Sequence, residues 1–321
     1  MKRTNLHFLL ILFLLFASCE KDEKNNVNPT FRLAESIVRN SEGLRIKATY
    51  HYEDEKLDEI LYYEMDFNGK EQPHSKAKAH YGNDGPSLVT YYYDSDNDEW
   101  LNWYKSVYVI ENDLVIEEKY YDAKNSWKFN YEYENENLVA WKGYDEALGE
   151  PLFKGEYRYT NGLLSNTKAY YYFSSLIGWI PIDKETIMRS EGSISTIFNF
   201  TLDSLGKWVN EFKNEYTYSN DKITQIDLYK WIEREWGKTA SSTYEYNIDN
   251  CLREIKNSDG SRANYKYEEG KGNLKLFYYY PEDLVYNQPT IKNGSNDMSQ
   301  IISFTPYYLR YLYQNRQQIS K

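Results

Sequence analysis

The sequence predicts an all-β protein: an antiparallel up-and-down meander of about 18 strands, built from nine repeats of about 27 residues and curled into a large soluble barrel or a strongly bent sheet. Three observations carry this. A pair of aromatic residues two positions apart recurs along the chain, followed by a polar turn and an aliphatic residue. The segments around these pairs alternate apolar and polar residues with a period of two, the pattern of a half-buried strand. No stretch of helical period interrupts them.

The N-terminus comes first. Lys2 and Arg3 form a positive region, Leu6 to Phe16 is an apolar run broken by His7, and Phe16-Ala17-Ser18-Cys19 follows. The run is too short to span a bilayer and ends in small residues, so residues 1–18 read as a secretory signal peptide. Residues 19–30, including Glu20-Lys21-Asp22-Glu23-Lys24, read as a polar tether. The Cys after small residues resembles the lipobox of bacterial lipoproteins, and that resemblance implies acylation of Cys19. The acidic, Lys-containing stretch behind it is similar to the export tag of Bacteroidota surface lipoproteins. Together they imply an outer-membrane, lipid-anchored protein displayed on the cell surface, with a periplasm-facing anchor as the alternative. With Cys19 acylated, Cys251 is left as a small buried hydrophobe.

Residues 31–280 form the repeat domain. The motif reads Tyr50-His51-Tyr52 before Leu57, Tyr131-Glu132-Tyr133 before Leu138, and Tyr157-Arg158-Tyr159 before Leu163. It returns as Tyr216-Thr217-Tyr218 before Ile223, Tyr244-Glu245-Tyr246 before Leu252, and Tyr265-Lys266-Tyr267 before Leu274. Weaker copies start at Ala79, Ser106 and Ile187. Each unit holds two strands, the first alternating cleanly: Phe129, Tyr131 and Tyr133 on one side, Lys128, Asn130 and Glu132 on the other. A turn of about four to six residues is expected between them, with Asn161-Gly162 supplying positive φ. The repeat resembles a degenerate tyrosine-aspartate (Rhs-type) repeat that mostly lacks that family's Gly-Arg pair. Combined with the lipoprotein signal, it is closer to Bacteroidota lipoproteins with a porin-like β fold and no known function. That resemblance implies β architecture and brings no catalytic residues.

A sheet of this size must curl, and 18 strands closed in a circle leave a channel. The polar face of each first strand carries Lys, Arg and Glu, whereas a lipid-spanning barrel needs an apolar outer band. The aromatic face therefore turns inward, and tyrosine suits it where each hydroxyl finds a partner.

Five tryptophans, Trp100, Trp127, Trp179, Trp208 and Trp236, sit near the second turn of their units. Each lies an even number of residues before the next repeat anchor, which predicts a Trp row on the tyrosine side, barring bulges. Two readings apply to this row, packing beneath the hairpins and a stacking platform for sugar rings. Residues 281–321 read as an irregular loop and a C-terminal capping segment. Within it, Thr305-Pro306-Tyr307 opens either a short helix or a final edge strand.

Composition excludes other classes. A formal charge of −11 on 321 residues disfavours nucleic acid as a partner. Two Cys and four His cannot build a zinc framework, and no cofactor motif appears. Asp94-Ser95-Asp96-Asn97-Asp98-Glu99 mimics a calcium loop but lacks its Gly and distal Glu, and the turn reading outweighs it. His51, His74 and His80 read as solvated. Repetition argues against catalysis, because a reaction centre needs unlike residues converging. The expected function is a binding protein that recognises a glycan or glycan-bearing partner. A structural or adhesive module is the alternative, and a polysaccharide hydrolase the weakest.

Overall fold

The computed structural model describes residues 18–19 and 31–270, apart from 42, 67, 84, 113, 123–125, 136, 191 and 221. The remainder of the signal peptide, the tether from residue 20 and the C-terminal capping segment lie outside the described residues.

Every described element is a strand. They are β1 (Ser18–Cys19), β2 (Phe31–Arg39), β3 (Arg45–Glu53), β4 (Lys56–Met65), β5 (Glu71–Gly82), β6 (Gly85–Asp94), β7 (Glu99–Glu111), β8 (Leu114–Asp122), β9 (Ser126–Glu134) and β10 (Asn137–Asp145). They continue as β11 (Glu150–Thr160), β12 (Leu163–Ser174), β13 (Gly178–Ser190), β14 (Ser193–Leu202), β15 (Trp208–Ser219), β16 (Lys222–Ile232), β17 (Glu235–Tyr246), β18 (Leu252–Asn257) and β19 (Arg262–Glu269). From β2 to β19 each strand pairs antiparallel with the next. The last then pairs with the first, Ala263 opposite Val38 and Tyr265 opposite Ser36. The sheet is therefore a closed up-and-down barrel of 18 strands, and β1 adds only Ser18 and Cys19 beside Arg32 and Phe31.

The turns fall largely into two kinds, the five-residue turn after Tyr246 and the two-residue turn between Ile232 and Glu235 each departing from its rim. After most Tyr-x-Tyr pairs the hairpin is tighter than the sequence suggests. Glu53 pairs with Lys56, Thr160 with Leu163 and Ser219 with Lys222, so only two residues make each turn. Asp54 and Glu55 have φ of 47° and 65°, and Asn161 and Gly162 have 53° and 75°. Two consecutive residues of positive φ match the right-handed twist of the flanking strands. On the opposite rim, turns are longer and several are held by a side-chain carboxylate or amide. Asp66 Oδ1 accepts the Asn68 and Lys70 N–H groups at 2.8 Å, and Asp203 Oδ1 those of Leu205 and Lys207 at 2.9 Å.

Beyond the two-residue turn, the aliphatic residue of each repeat starts a β-bulge. Tyr52 pairs with Leu57 and His51 with Glu59, which leaves Asp58 unpaired; the same step recurs at Leu138, Leu164, Ile194, Ile223 and Leu252. The unit of Tyr157 therefore uses Leu164, not Leu163, as its aliphatic residue. The bulge keeps two apolar residues three apart on one face: Leu57 with Ile60, Ile194 with Ile197, Leu252 with Ile255, all buried. A second tyrosine ties units together. The hydroxyls of Tyr81, Tyr133, Tyr159 and Tyr246 donate to the carbonyl oxygens of Leu57, Val115, Leu138 and Ile223 at 2.9–3.0 Å. Each acceptor is the bulge residue of the preceding unit, so the hydroxyl satisfies a carbonyl at an irregularity in the ladder. This is why the repeat uses tyrosine where phenylalanine would serve burial alone.

The inner face is packed. Leu57, Ile60, Val115, Ile197, Ile255 and Ala263 have no exposed surface. Most of these residues sit in one buried cluster with tyrosine rings, among them Tyr50, Tyr131, Tyr244 and Tyr265. The outer face is ionic, with Lys47 between Glu35 and Glu71, Lys128 on Glu117, and Lys154 on Glu156. Pairs like these add little stability singly, but they place this face in water.

Candidate functional site

The tryptophans do not form one inward row. Trp127 alone faces inward: it is buried and stacks on Tyr120, with centroids 5.2 Å apart and planes 14° from parallel. The other four face outward. In β7, β13, β15 and β17 a bulge falls between the Trp and the repeat anchor, at Trp103, Ile182, Glu211 and Thr239. One extra residue reverses the face of everything before it. Between β8 and β9 the register is unbroken, so Trp127 keeps the inward side. Even spacing alone could not reveal this, because a bulge leaves no mark in the spacing of the anchors.

Outside, the rings meet lysines in a regular order. Lys47 pairs with Tyr63, Lys76 with Tyr91, Lys105 with Tyr121, Lys128 with Tyr144, Lys154 with Tyr170, Lys184 with Phe200 and Lys213 with Tyr229. Each pair joins the first and second strands of a unit at the same level of the wall. In three units a Trp from the next strand completes a trio. Lys76 Nζ lies 5.2 Å from the Tyr91 ring and 4.8 Å from Trp100. Lys154 Nζ lies 4.3 Å from Tyr170 and 5.4 Å from Trp179, and Lys213 Nζ 4.4 Å from Tyr229 and 5.4 Å from Trp236. Ammonium groups at this distance are held by the ring quadrupole. They cover part of the faces that a sugar would need, so at Trp100, Trp179 and Trp236 a ligand must displace a lysine.

The aromatic surface is densest across β14 to β17. Trp231 and Trp236 face each other across the hairpin, 4.9 Å apart at 64°, and Phe198 lies 6.0 Å from Trp236. Trp208 pairs with Leu202 at the end of the neighbouring hairpin. Trp231 and Phe198 were not singled out in the sequence; the signal for Trp231 was its place opposite Trp236 across the tight Glu233-Arg234 turn.

Three acids interrupt the inner face, Glu118, Asp183 and Glu185. Glu118 occupies the position of Ile60, Ile197 and Ile255, three residues after its unit's aliphatic Val115, and is buried. Tyr131 donates to its Oε2 at 3.0 Å. Burial pushes the Glu118 carboxyl up to about 8, against the hydroxyls of Tyr131, Ser106 and Tyr108, which favour its charged form. On β13, Glu185 accepts from Thr167 Oγ1 at 3.1 Å and from Asn199 Nδ2 at 2.5 Å. Burial, with Glu185 nearby, raises Asp183 to about 7. Glu118 and Glu185 are thus satisfied in place by hydroxyl and amide donors.

The remaining sequence candidates resolve into local roles. Asp94 Oδ1 accepts the Asp96 N–H at 3.0 Å and its Oδ2 the Asn97 side-chain amide at 2.9 Å, while Tyr93 donates to Asp98. The acids of the calcium-like segment thus build the β6–β7 turn. No group of three His, Cys, Asp or Glu side chains placed to hold a metal occurs among the described residues. His74 Nδ1 lies 3.1 Å from Ser75 Oγ, and His51 and His80 are exposed. Cys251 is buried, as expected of a small hydrophobe.

No protein-family model matches the chain, and no curated protein matches it. Among solved structures it is similar to a porin-like protein from Bacteroides uniformis, at 12% identity and a TM-score of 0.39, over 74% of this chain and 98% of that one. A porin-like protein from Bacteroides vulgatus matches over the same shares at 10% identity and a TM-score of 0.34. A protein of unknown function from Bacteroides fragilis is 18% identical over 37% of this chain and 93% of its own, with a TM-score of 0.33.

Proposed function

We propose that this is a surface-exposed, lipid-anchored protein of the outer membrane that recognises a glycan or glycan-bearing partner on its outer aromatic wall. The observation that carries the reading is the outward cluster of Phe198, Trp208, Trp231 and Trp236 on adjacent strands. These rings are half-exposed on a face otherwise given to ion pairs. Ring faces in water on a rigid sheet suit the apolar faces of pyranose rings, and the neighbouring lysines supply donors to hydroxyl or carboxylate groups. The test is a glycan array probed with the mature protein and with Trp231→Ala/Trp236→Ala. Binding lost in the variant, with an unchanged far-UV spectrum, supports the reading; equal binding by both rejects it.

Anchoring rests on the Cys19 resemblance. Intact mass of membrane-extracted protein tests it. Acylation adds the mass of the lipid to a chain that begins at Cys19, and an unlipidated mass rejects the anchor.

An adhesive module is the second reading. It is favoured by the ionic outer wall, where Glu35 accepts both Lys47 and Lys266 and Lys256 bridges Glu245 and Glu254. Contacts led by these charges weaken in salt, whereas ring stacking persists.

A further inference from the structure

The repeats act as controls on one another, and one arc of the rim departs from the rest. On the rim of the longer turns, four consecutive hairpins from β10 to β17 each carry a large apolar residue at the tip. Leu148 is 70% exposed, Leu176 96%, Leu205 78% and Ile232 49%. The fold does not require them. The β6–β7 hairpin closes on the same ring pair as β12–β13, Tyr93–Trp100 against Tyr172–Trp179, both at 5.1 Å, yet its tip is Asp94-Ser95-Asp96-Asn97-Asp98. The Asp203–Gly206 turn has the same N–H to carbonyl closure as Asn257–Gly260, where Asp259 stands in the place of Leu205. Identical turns thus tolerate acids, and the apolar tips answer to something outside the barrel.

We infer that this arc is an insertion edge for the surface of a zwitterionic lipid bilayer. The tips are separate prongs on separate hairpins, with Ile177, 60% exposed, beside Leu176. These five side chains present on the order of 600 Å², short of the about 800 Å² per partner of a standard protein interface. A fluid bilayer accepts isolated prongs without a matching face. Just below the tips, Trp179, Trp208, Trp231 and Trp236 stand on the outer wall at the level where ring side chains settle between hydrocarbon and headgroups. The turns are acidic: Asp145, Glu146, Glu150, Asp203, Glu233 and Glu235 outnumber Lys207 and Arg234. An anionic surface would repel them, so the occupant is a neutral-headgroup membrane. The edge lies opposite the rim where β2 begins and β19 ends, so a tether before Phe31 leaves from the far end of the barrel. The inference is separate from the glycan reading, because the tips extend beyond the rings.

The experiment uses the mature chain, residues 19–321, produced without acylation, and vesicles of phosphatidylcholine. Flotation with the vesicles and a blue shift of tryptophan emission, both insensitive to salt, are expected. Leu176→Asp/Leu205→Asp should lower the vesicle-bound fraction by at least about tenfold. Ile248→Asp, at a 93% exposed site on the opposite rim, should leave it unchanged. An unchanged far-UV spectrum and melting temperature show that the variants fold. Failure to float, flotation indifferent to the tip pair, or loss of flotation with Ile248→Asp overturns the inference. So does lipid-free self-association abolished by the tip pair, which would make a second copy the occupant.

Discussion

The Tyr131 hydroxyl donates to the Glu118 carboxyl at 3.0 Å, at a position that other repeats fill with Ile60, Ile197 and Ile255. The folded carboxyl titrates near 8 against an ordinary value of 4.5. The folded state therefore holds this proton between those two pH values while the unfolded chain releases it. The stability tied to this proton is full below about pH 4.5 and drains away as pH climbs through about 8. Glu118→Gln should flatten that dependence. Its advantage over the natural protein should be small at pH 5 and reach ~3 kcal/mol at pH 8, read from urea midpoints.

The ladder of hydroxyls predicts a second result. Tyr133→Phe, Tyr159→Phe and Tyr246→Phe each leave a bulge carbonyl without its donor, at Val115, Leu138 and Ile223. Each should cost about 0.5–1.5 kcal/mol in chemical denaturation. The three sites lie in different units and should add. A sum well below the parts would show that water replaces the phenols.

Trp141 covers Gly155 across the β10–β11 pair. A Cβ at residue 155 would lie 2.0 Å from the indole Nε1, and one at Gly143 would lie 2.8 Å from the Phe129 ring. Gly155→Ala should cost about 1–3 kcal/mol by forcing the indole out of its place. Near-UV circular dichroism should change with it, since Trp141 is among the most buried rings. A silent substitution would mean that the wall yields.

The Glu233-Arg234 turn is the tight hairpin least suited to its backbone. Both residues hold positive φ, 52° and 72°, without a glycine or asparagine. Glu233→Asn with Arg234→Gly should raise stability by about 0.5–1 kcal/mol, measured as a higher melting temperature. No loss of outer-wall binding is expected, because neither side chain joins the ring cluster.

Much of the architecture was legible. Tyrosine pairs at a steady period fixed the number of strands and their meander, because each hairpin buries one face and exposes the other. The Lys-rich alternate positions, such as Lys128 and Lys154, named the outer wall. Bulges were not legible. Ile182 and Thr239 look like any other strand residues, yet each reverses the face of the tryptophan before it. The dry interior was hidden too. Leu57 and Ile60 have no exposed surface, and a period of two records only that a face is covered, not how tightly.

Closure between β2 and β19 also bears on how the chain comes to its final form. Arg32 meets Glu268 across 236 residues, and no earlier seam can stand in for that one. Until the final repeat has emerged, both margins of the growing sheet offer unpaired N–H and carbonyl groups to any passing strand. Completion is therefore a late event with a large loop-closure cost, and shortening the chain by its last unit should yield aggregates rather than a smaller barrel.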